Sequence, residues 1–272
     1  MQNLKTKTLI LILSGVMVVG GLGYGGYRFA RKQISGSTDN QTIQVNSYPF
    51  TPFDEIQLPD SIPQFTNSTM AKKLAGKNSD GQDLYYFDFN LSASLTNMNE
   101  VSQFYLTELS QNQWNIKSKK ANNCIQEEEP CNEWYKIIAD KDSQTIELFI
   151  FSHVSYEITL SSGGQIPVLL NIPDDFPSEL IPADVSIKTF LRGYDDQKSQ
   201  VTLLELTDFS SDELKKFLPS LQEKGWRENC GCASSPGFSN CGCSKENMSY
   251  MFNFRSGEFY DKDKTTLEVK EK

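Results

Sequence analysis

The chain has 272 residues, a formal net charge of −9 and 22% charged side chains. A surface this acidic repels phosphate backbones, which excludes nucleic acid as a partner. A hydrophobic content of 38%, of which aromatics are a large part, supplies ordinary cores, and the length fits one or two domains beyond any anchor.

The charge is uneven. Lys5, Lys7, Arg28, Arg31 and Lys32 all stand in residues 1–32, which contain no acid. Between them, Thr8 to Tyr27 is an uncharged apolar run of 20 residues. As a helix rising about 1.5 Å per residue it spans the roughly 30 Å of a bilayer core. Tyr24 and Tyr27 fall where interfacial aromatics are expected. No Ala-x-Ala site follows, and Arg28, Arg31 and Lys32 come directly after the run, so an uncleaved anchor is favoured over a removed signal peptide. Residues 1–32 are therefore read as a transmembrane anchor with basic flanks. Gly21, Gly23 and Gly26 match a dinucleotide-binding pattern, but they lie inside the apolar segment and lack the strand and helix that the pattern requires.

Residues 33–60 are rich in Ser, Thr, Asn, Gln and Pro and read as a linker. Two similar domains are expected beyond it, at 61–165 and 166–272. Ile62-Pro63-Gln64-Phe65 opens one copy and Ile172-Pro173-Asp174-Asp175-Phe176 the other. Strand-like runs follow at Leu84 to Leu91 and Val201 to Leu206. Asn97 with Glu100, and Ser210 with Glu213, have capping-box spacing. Behind them Val101, Phe104, Tyr105 and Leu109 match Leu214, Phe217, Leu218 and Leu221, one apolar stripe per helix. Pro219 is expected to kink or shorten the second helix. Trp114 and Trp226 close the two helices, the second after Gly225, a C-cap residue. Asp140-Lys141-Asp142 and Asp261-Lys262-Asp263 each read as the turn of a hairpin. The fold class is therefore α+β, each copy an antiparallel sheet with one packed helix.

The second copy's Ile172-Pro173-Asp174-Asp175-Phe176-Pro177 entry, its Glu213-Leu214-x-x-Phe217 helix and its Gly225-Trp226 ending resemble a small domain of uncharacterised bacterial envelope proteins and lipoproteins. The first copy departs from that pattern, with Gln113 where Gly would precede Trp114. The resemblance implies an extracytoplasmic location and carries over no activity and no functional residue.

All six cysteines lie beyond the anchor. Cys124 and Cys131 sit between the first helix and its hairpin, and Cys230, Cys232, Cys241 and Cys243 form two Cys-Gly-Cys groups in the corresponding part of the second copy. An even count after an anchor reads as disulfides in an oxidising compartment. Cys230–Cys243 with Cys232–Cys241 is the pairing favoured, as two rungs of a folded-back loop. A Cys₄ zinc site is the alternative, although paired zinc ligands ordinarily have two residues between them and here have one.

Catalytic sets are sparse. His153, the single histidine, lies in an apolar strand-like run, and neither a Gly-x-Ser-x-Gly elbow nor a P-loop is present. Glu127 to Glu129 and Asp174-Asp175 are read as a solvated loop and a turn. The expectation is a single-pass cell-membrane protein, its bulk extracytoplasmic, non-enzymatic and without cofactor, binding a protein or cell-wall partner. A hydrolase using acidic side chains, or a metal or redox sensor built on the Cys-Gly-Cys loop, are the alternatives.

Overall fold

The computed structural model describes residues 43–45, 49–92, 98–122, 134–152, 155–163, 167–235, 238–255 and 264–272. The Thr8–Tyr27 segment, Asn97, Cys124, Cys131, Glu127 to Glu129, His153 and Asp261 to Asp263 lie outside them. No described helix is long and apolar enough to cross a membrane.

Residues 42–272 form one compact unit. Its strands are β1 (Ile43–Val45), β2 (Ser68–Asn78), β3 (Asp83–Leu91), β4 (Asn115–Asn122), β5 (Trp134–Lys141), β6 (Gln144–Ser152) and β7 (Ser155–Ser162). They continue as β8 (Val168–Leu170), β9 (Ser186–Asp195), β10 (Gln200–Thr207), β11 (Glu228–Ser235), β12 (Phe238–Lys245), β13 (Met248–Arg255) and β14 (Lys264–Glu271). Helix α1 (Met98–Gln111) follows β3, and α2 (Ser211–Glu223) follows β10. The main sheet has 12 strands in the order β11-β12-β13-β14-β10-β9-β2-β3-β7-β6-β5-β4, all paired antiparallel. β1 and β8 form a separate short parallel pair.

The order is the same read outward from the middle. From β2 it runs β3-β7-β6-β5-β4, and from β9 it runs β10-β14-β13-β12-β11. The two stretches expected as separate domains thus meet edge to edge through β2 and β9 and share one sheet. At that junction Gly76 faces Leu191 and Leu74 faces Gly193, so it reads alike from either strand. A Cβ on Gly76 would overlap the Phe190 carbonyl oxygen, and one on Gly193 the Lys73 carbonyl oxygen. Only glycine permits so close a backbone approach, and both glycines lie on the face to which the sheet bends.

Alternation along the strands separates two faces. Phe87, Phe89, Ile137, Leu148 and Ile158 pack with Val101, Tyr105 and Leu109 of α1. Phe190, Leu204, Phe252 and Leu267 pack with Leu214 and Leu221 of α2. Both helices therefore lie on one face. The other carries Leu74, Leu84, Tyr86, Leu191 and Val201, a smaller cluster without a helix.

Local signals act as their chemistry requires. Ser210 Oγ accepts from the Glu213 N–H at 3.3 Å, while the Ser210 N–H donates to Glu213 Oε2 at 2.6 Å. Pro219 sits inside α2, which continues to Glu223. The two helices end alike. The Trp114 N–H donates to the Leu109 oxygen at 2.8 Å and the Trp226 N–H to the Leu221 oxygen at 3.1 Å. Each is preceded by a left-handed residue, Gln113 at φ 66° and Gly225 at φ 95°.

Three sequence parallels fall differently. Residues 49–60, expected within the linker, are part of the folded unit: Ile56 is 1% exposed, and Phe53 lies under the Lys73 ammonium at 4.3 Å. Ile62 corresponds to Leu180, not Ile172. The Ile62 N–H donates to the Pro59 oxygen at 2.8 Å as that of Leu180 does to Pro177 at 2.9 Å, and both side chains are in the core. Asp140 and Lys141 end β5 and Asp142 begins the β5–β6 turn, whereas Asp261 to Asp263 falls in the sequence between the antiparallel pair β13 and β14, whose counterparts are β6 and β7. Short polar turns repeat by chance, whereas the buried Ile62 and Leu180 occupy equivalent places.

Candidate functional site

The helix-free face is strongly concave. Arg255 on β13 and Glu157 on β7 are separated by five strands in the sheet order. A flat sheet with strands ~4.8 Å apart would hold them about 29 Å apart. Instead Arg255 Nη2 donates to Glu157 Oε1 at 2.9 Å and Nη1 to Oε2 at 3.3 Å, a two-pronged pair. The Arg255 guanidinium also lies 5.6 Å from the Phe149 ring centre. Lys72 on β2 adds a second bridge between the halves, donating to Glu268 on β14 at 2.7 Å, with Asp88 at 3.7 Å. Within the second half Lys264 lies 3.3 Å from Glu205. A cleft of about 110 Å³ remains between the halves, lined by Tyr86, Phe149, Glu157, Arg255, Lys264 and Glu268 among others.

The low-dielectric setting shifts these groups. Burial pushes the Asp88 carboxyl up to about 6; Lys72 opposes this, while Glu157 and Glu268 add to it. Burial also disfavours the Glu157 carboxylate, but Arg255, with help from Lys264 and the Tyr86 hydroxyl, outweighs it and holds the group below its usual range. Burial opposes the Lys72 charge too, and Glu268 and Asp88 overcome it, so that the ammonium is held above its ordinary value. Asp88 and Glu157 are direct neighbours on β3 and β7. They stand side by side on one half-sheet, not opposed across a gap, and both Glu157 oxygens are taken by Arg255. The carboxylates therefore act as partners of the cations that draw the two halves together.

The sheet's two outer edges differ. β4 carries Lys117, Lys119 and Lys120, all exposed, a charge guard against strand addition. β11 carries its one charge at Glu228, where its register with β12 is irregular, and then runs Asn229-Cys230-Gly231-Cys232-Ala233-Ser234-Ser235 without charge or proline. Cys230 is bonded to Cys243 and Cys232 to Cys241, with Cα–Cα separations of 4.1 and 4.2 Å. Residues two apart on a strand face the same way, so all four sulfurs lie on the helix-bearing face, with Cys241 and Cys243 buried against Trp226 and Tyr250. None of the described cysteines is free, so this group has no thiolate to offer zinc. On the opposite face Gly231, Gly242 and Met251 floor an open depression of about 460 Å³ that reaches Glu268.

The bridges between the halves were not foreseeable: Glu157 and Arg255 are 98 positions apart, and neither stands in a motif. Comparison with family models, curated proteins and solved structures finds no match.

Proposed function

We propose that this chain is a membrane-tethered, extracytoplasmic binding module of the cell envelope that catalyses no reaction. The pair of cross-strand disulfides carries the reading, because such bonds persist in oxidising compartments outside the cytoplasm. The uncharged Thr8–Tyr27 run with its basic flanks supplies the tether. The acidic groups on the concave face support the non-enzymatic reading, since they are engaged by Lys72, Arg255 and Lys264 around a cleft too small for a polymer substrate. The like-ordered halves support descent from a duplicated unit whose two copies share one sheet.

The test is labelling of intact cells with a membrane-impermeant amine reagent, followed by fractionation. Labelling of the exposed lysines of β4 and of Lys188 on β9 in the membrane fraction supports the reading. Labelling only after lysis, or recovery of the chain in the soluble fraction, refutes it.

A further inference from the structure

We infer that the concave face is a proton-operated clasp: when Asp88 takes up a proton, Lys72 is left wholly to Glu268 on the opposite half and the two halves close, and when the proton leaves they part. The clasp does not depend on where in the cell the chain resides.

The halves meet over little of this face. In the main sheet they pair through β2 and β9 alone, and a cleft of about 110 Å³ remains between them. Its floor is apolar, with Leu84 of one half beside Leu191 and Leu203 of the other. Above the floor, charge draws the halves over the gap, through Arg255 on Glu157 and Lys72 on Glu268.

Asp88 is the odd group among these charges. Each of the four carboxylates that line the cleft has a cation close by. Glu157 has Arg255 at 2.9 Å and Glu268 has Lys72 at 2.7 Å. Glu205 has Lys188 at 2.8 Å and Lys264 at 3.3 Å, and Glu147 has Lys136 at 3.3 Å. On β9, Asp195 is held by Lys270. Asp88 shares its cation: Lys72 lies at 3.7 Å and already donates to Glu268. Asp88, Glu157 and Glu268 thus set three carboxylates against the two cations Lys72 and Arg255, and one proton restores the balance.

The neighbours of Asp88 fix the sign. From its own half it faces Lys72 on β2 and Glu157 on β7, and from the other half Glu268 on β14 and Arg255 on β13. Lys72 and Asp88 ride on the same half, so their attraction does not hold the halves together. Across the gap, repulsion by Glu268 outweighs attraction to Arg255. An ionised Asp88 therefore pushes the halves apart and competes with Glu268 for the ammonium, and a protonated Asp88 does neither. In the closed form the carboxyl is raised from 3.8 to about 6. Parting the halves returns water to it and lowers it again, so closing and proton uptake are linked. A difference of about two pH units shifts the closed-to-open ratio by up to about 100-fold on full protonation.

The test uses the full chain in detergent micelles. A ketone-bearing aromatic residue replaces Lys119 on β4 and Ala233 on β11, both exposed on the outer edges of the sheet, where closure moves them furthest. Each carries a nitroxide, and pulsed electron resonance reads the distance between them. Carbon NMR of the carboxyl groups follows Asp88 itself. The expected result is a shorter distance at pH ~5 than at pH ~8, with a midpoint that coincides with the Asp88 titration near 6. Asp88→Asn, which cannot ionise, should hold the short distance at both pH values. A distance that does not change with pH, an Asp88→Asn protein that responds as wild type does, or an Asp88 that titrates in the ordinary carboxylate range would each overturn the inference.

Discussion

Asp88→Asn tests whether the carboxylates of the concave face carry a cost. The Asp88 carboxyl is raised from the ordinary 3.8 to about 6. A rise of about two pH units, at about 1.4 kcal/mol each, makes its ionisation in the folded protein about 3 kcal/mol harder than in the unfolded chain. The side chain keeps 21% exposure, so solvent recovers part of this. The sign follows from proton counting. Between pH ~4 and ~6 the folded protein holds a proton that the unfolded chain has released, so this group's contribution to stability falls as pH rises through that window. Above it, wild type carries the full cost of a buried carboxylate beside Glu157 and Glu268. Asn has nearly the same shape and no charge. The variant should therefore be about 1–3 kcal/mol more stable than wild type at pH 8, with the difference vanishing below pH ~4. Urea unfolding of the full chain in micelles, followed by tryptophan fluorescence at both pH values, measures it. A variant less stable than wild type at pH 8, or a difference that does not change with pH, would refute the reasoning and make the Asp88–Lys72 pair a net stabiliser.

Other consequences are as direct. Arg255→Met leaves Glu157 buried without its main cation and should cost about 3–5 kcal/mol, whereas Arg255→Met with Glu157→Gln should recover most of the loss, read by the same unfolding assay. Gly76→Ala, which forces a Cβ into the Phe190 carbonyl, should destabilise by about 3 kcal/mol or more, while Gly231→Ala, facing open space, should be neutral or slightly stabilising. Gln113→Gly should raise stability by up to about 1 kcal/mol, because its φ of 66° is held at a cost by a residue with a side chain. Reducing Cys230–Cys243 and Cys232–Cys241 together should lower stability by about 3 kcal/mol, seen as a lower thermal midpoint, since the nested bonds close one loop of 13 residues' separation.

Much of the local architecture was legible because its causes are local. The capping box at Ser210 and Glu213, the apolar stripes of α1 and α2, and the alternation of β3 are each set by residues within a few positions. The Trp114 and Trp226 helix ends were visible as well, although the left-handed Gln113 looked like a departure and is a second instance of the same cap. What was not legible depends on how the halves meet. Gly76 and Gly193 are ordinary strand glycines until β2 and β9 are laid together. Lys72, Asp88, Glu157, Arg255 and Glu268 are scattered charges until the sheet bends over them. Residues 49–60 read as linker because proline and polar residues dominate there, yet Phe50 stacks on Arg192 at 4.5 Å and Ile56 is buried, contacts set by strands far along the chain.

The most direct test of the account is a thiol count on the full chain, isolated from membranes with free thiols trapped at lysis by an alkylating reagent and read by peptide mass. The account predicts Cys230, Cys232, Cys241 and Cys243 unalkylated until reductant is added, with cross-linked peptides joining Cys230 to Cys243 and Cys232 to Cys241. Four alkylated cysteines at lysis would contradict it, removing the oxidising location on which the proposed function stands.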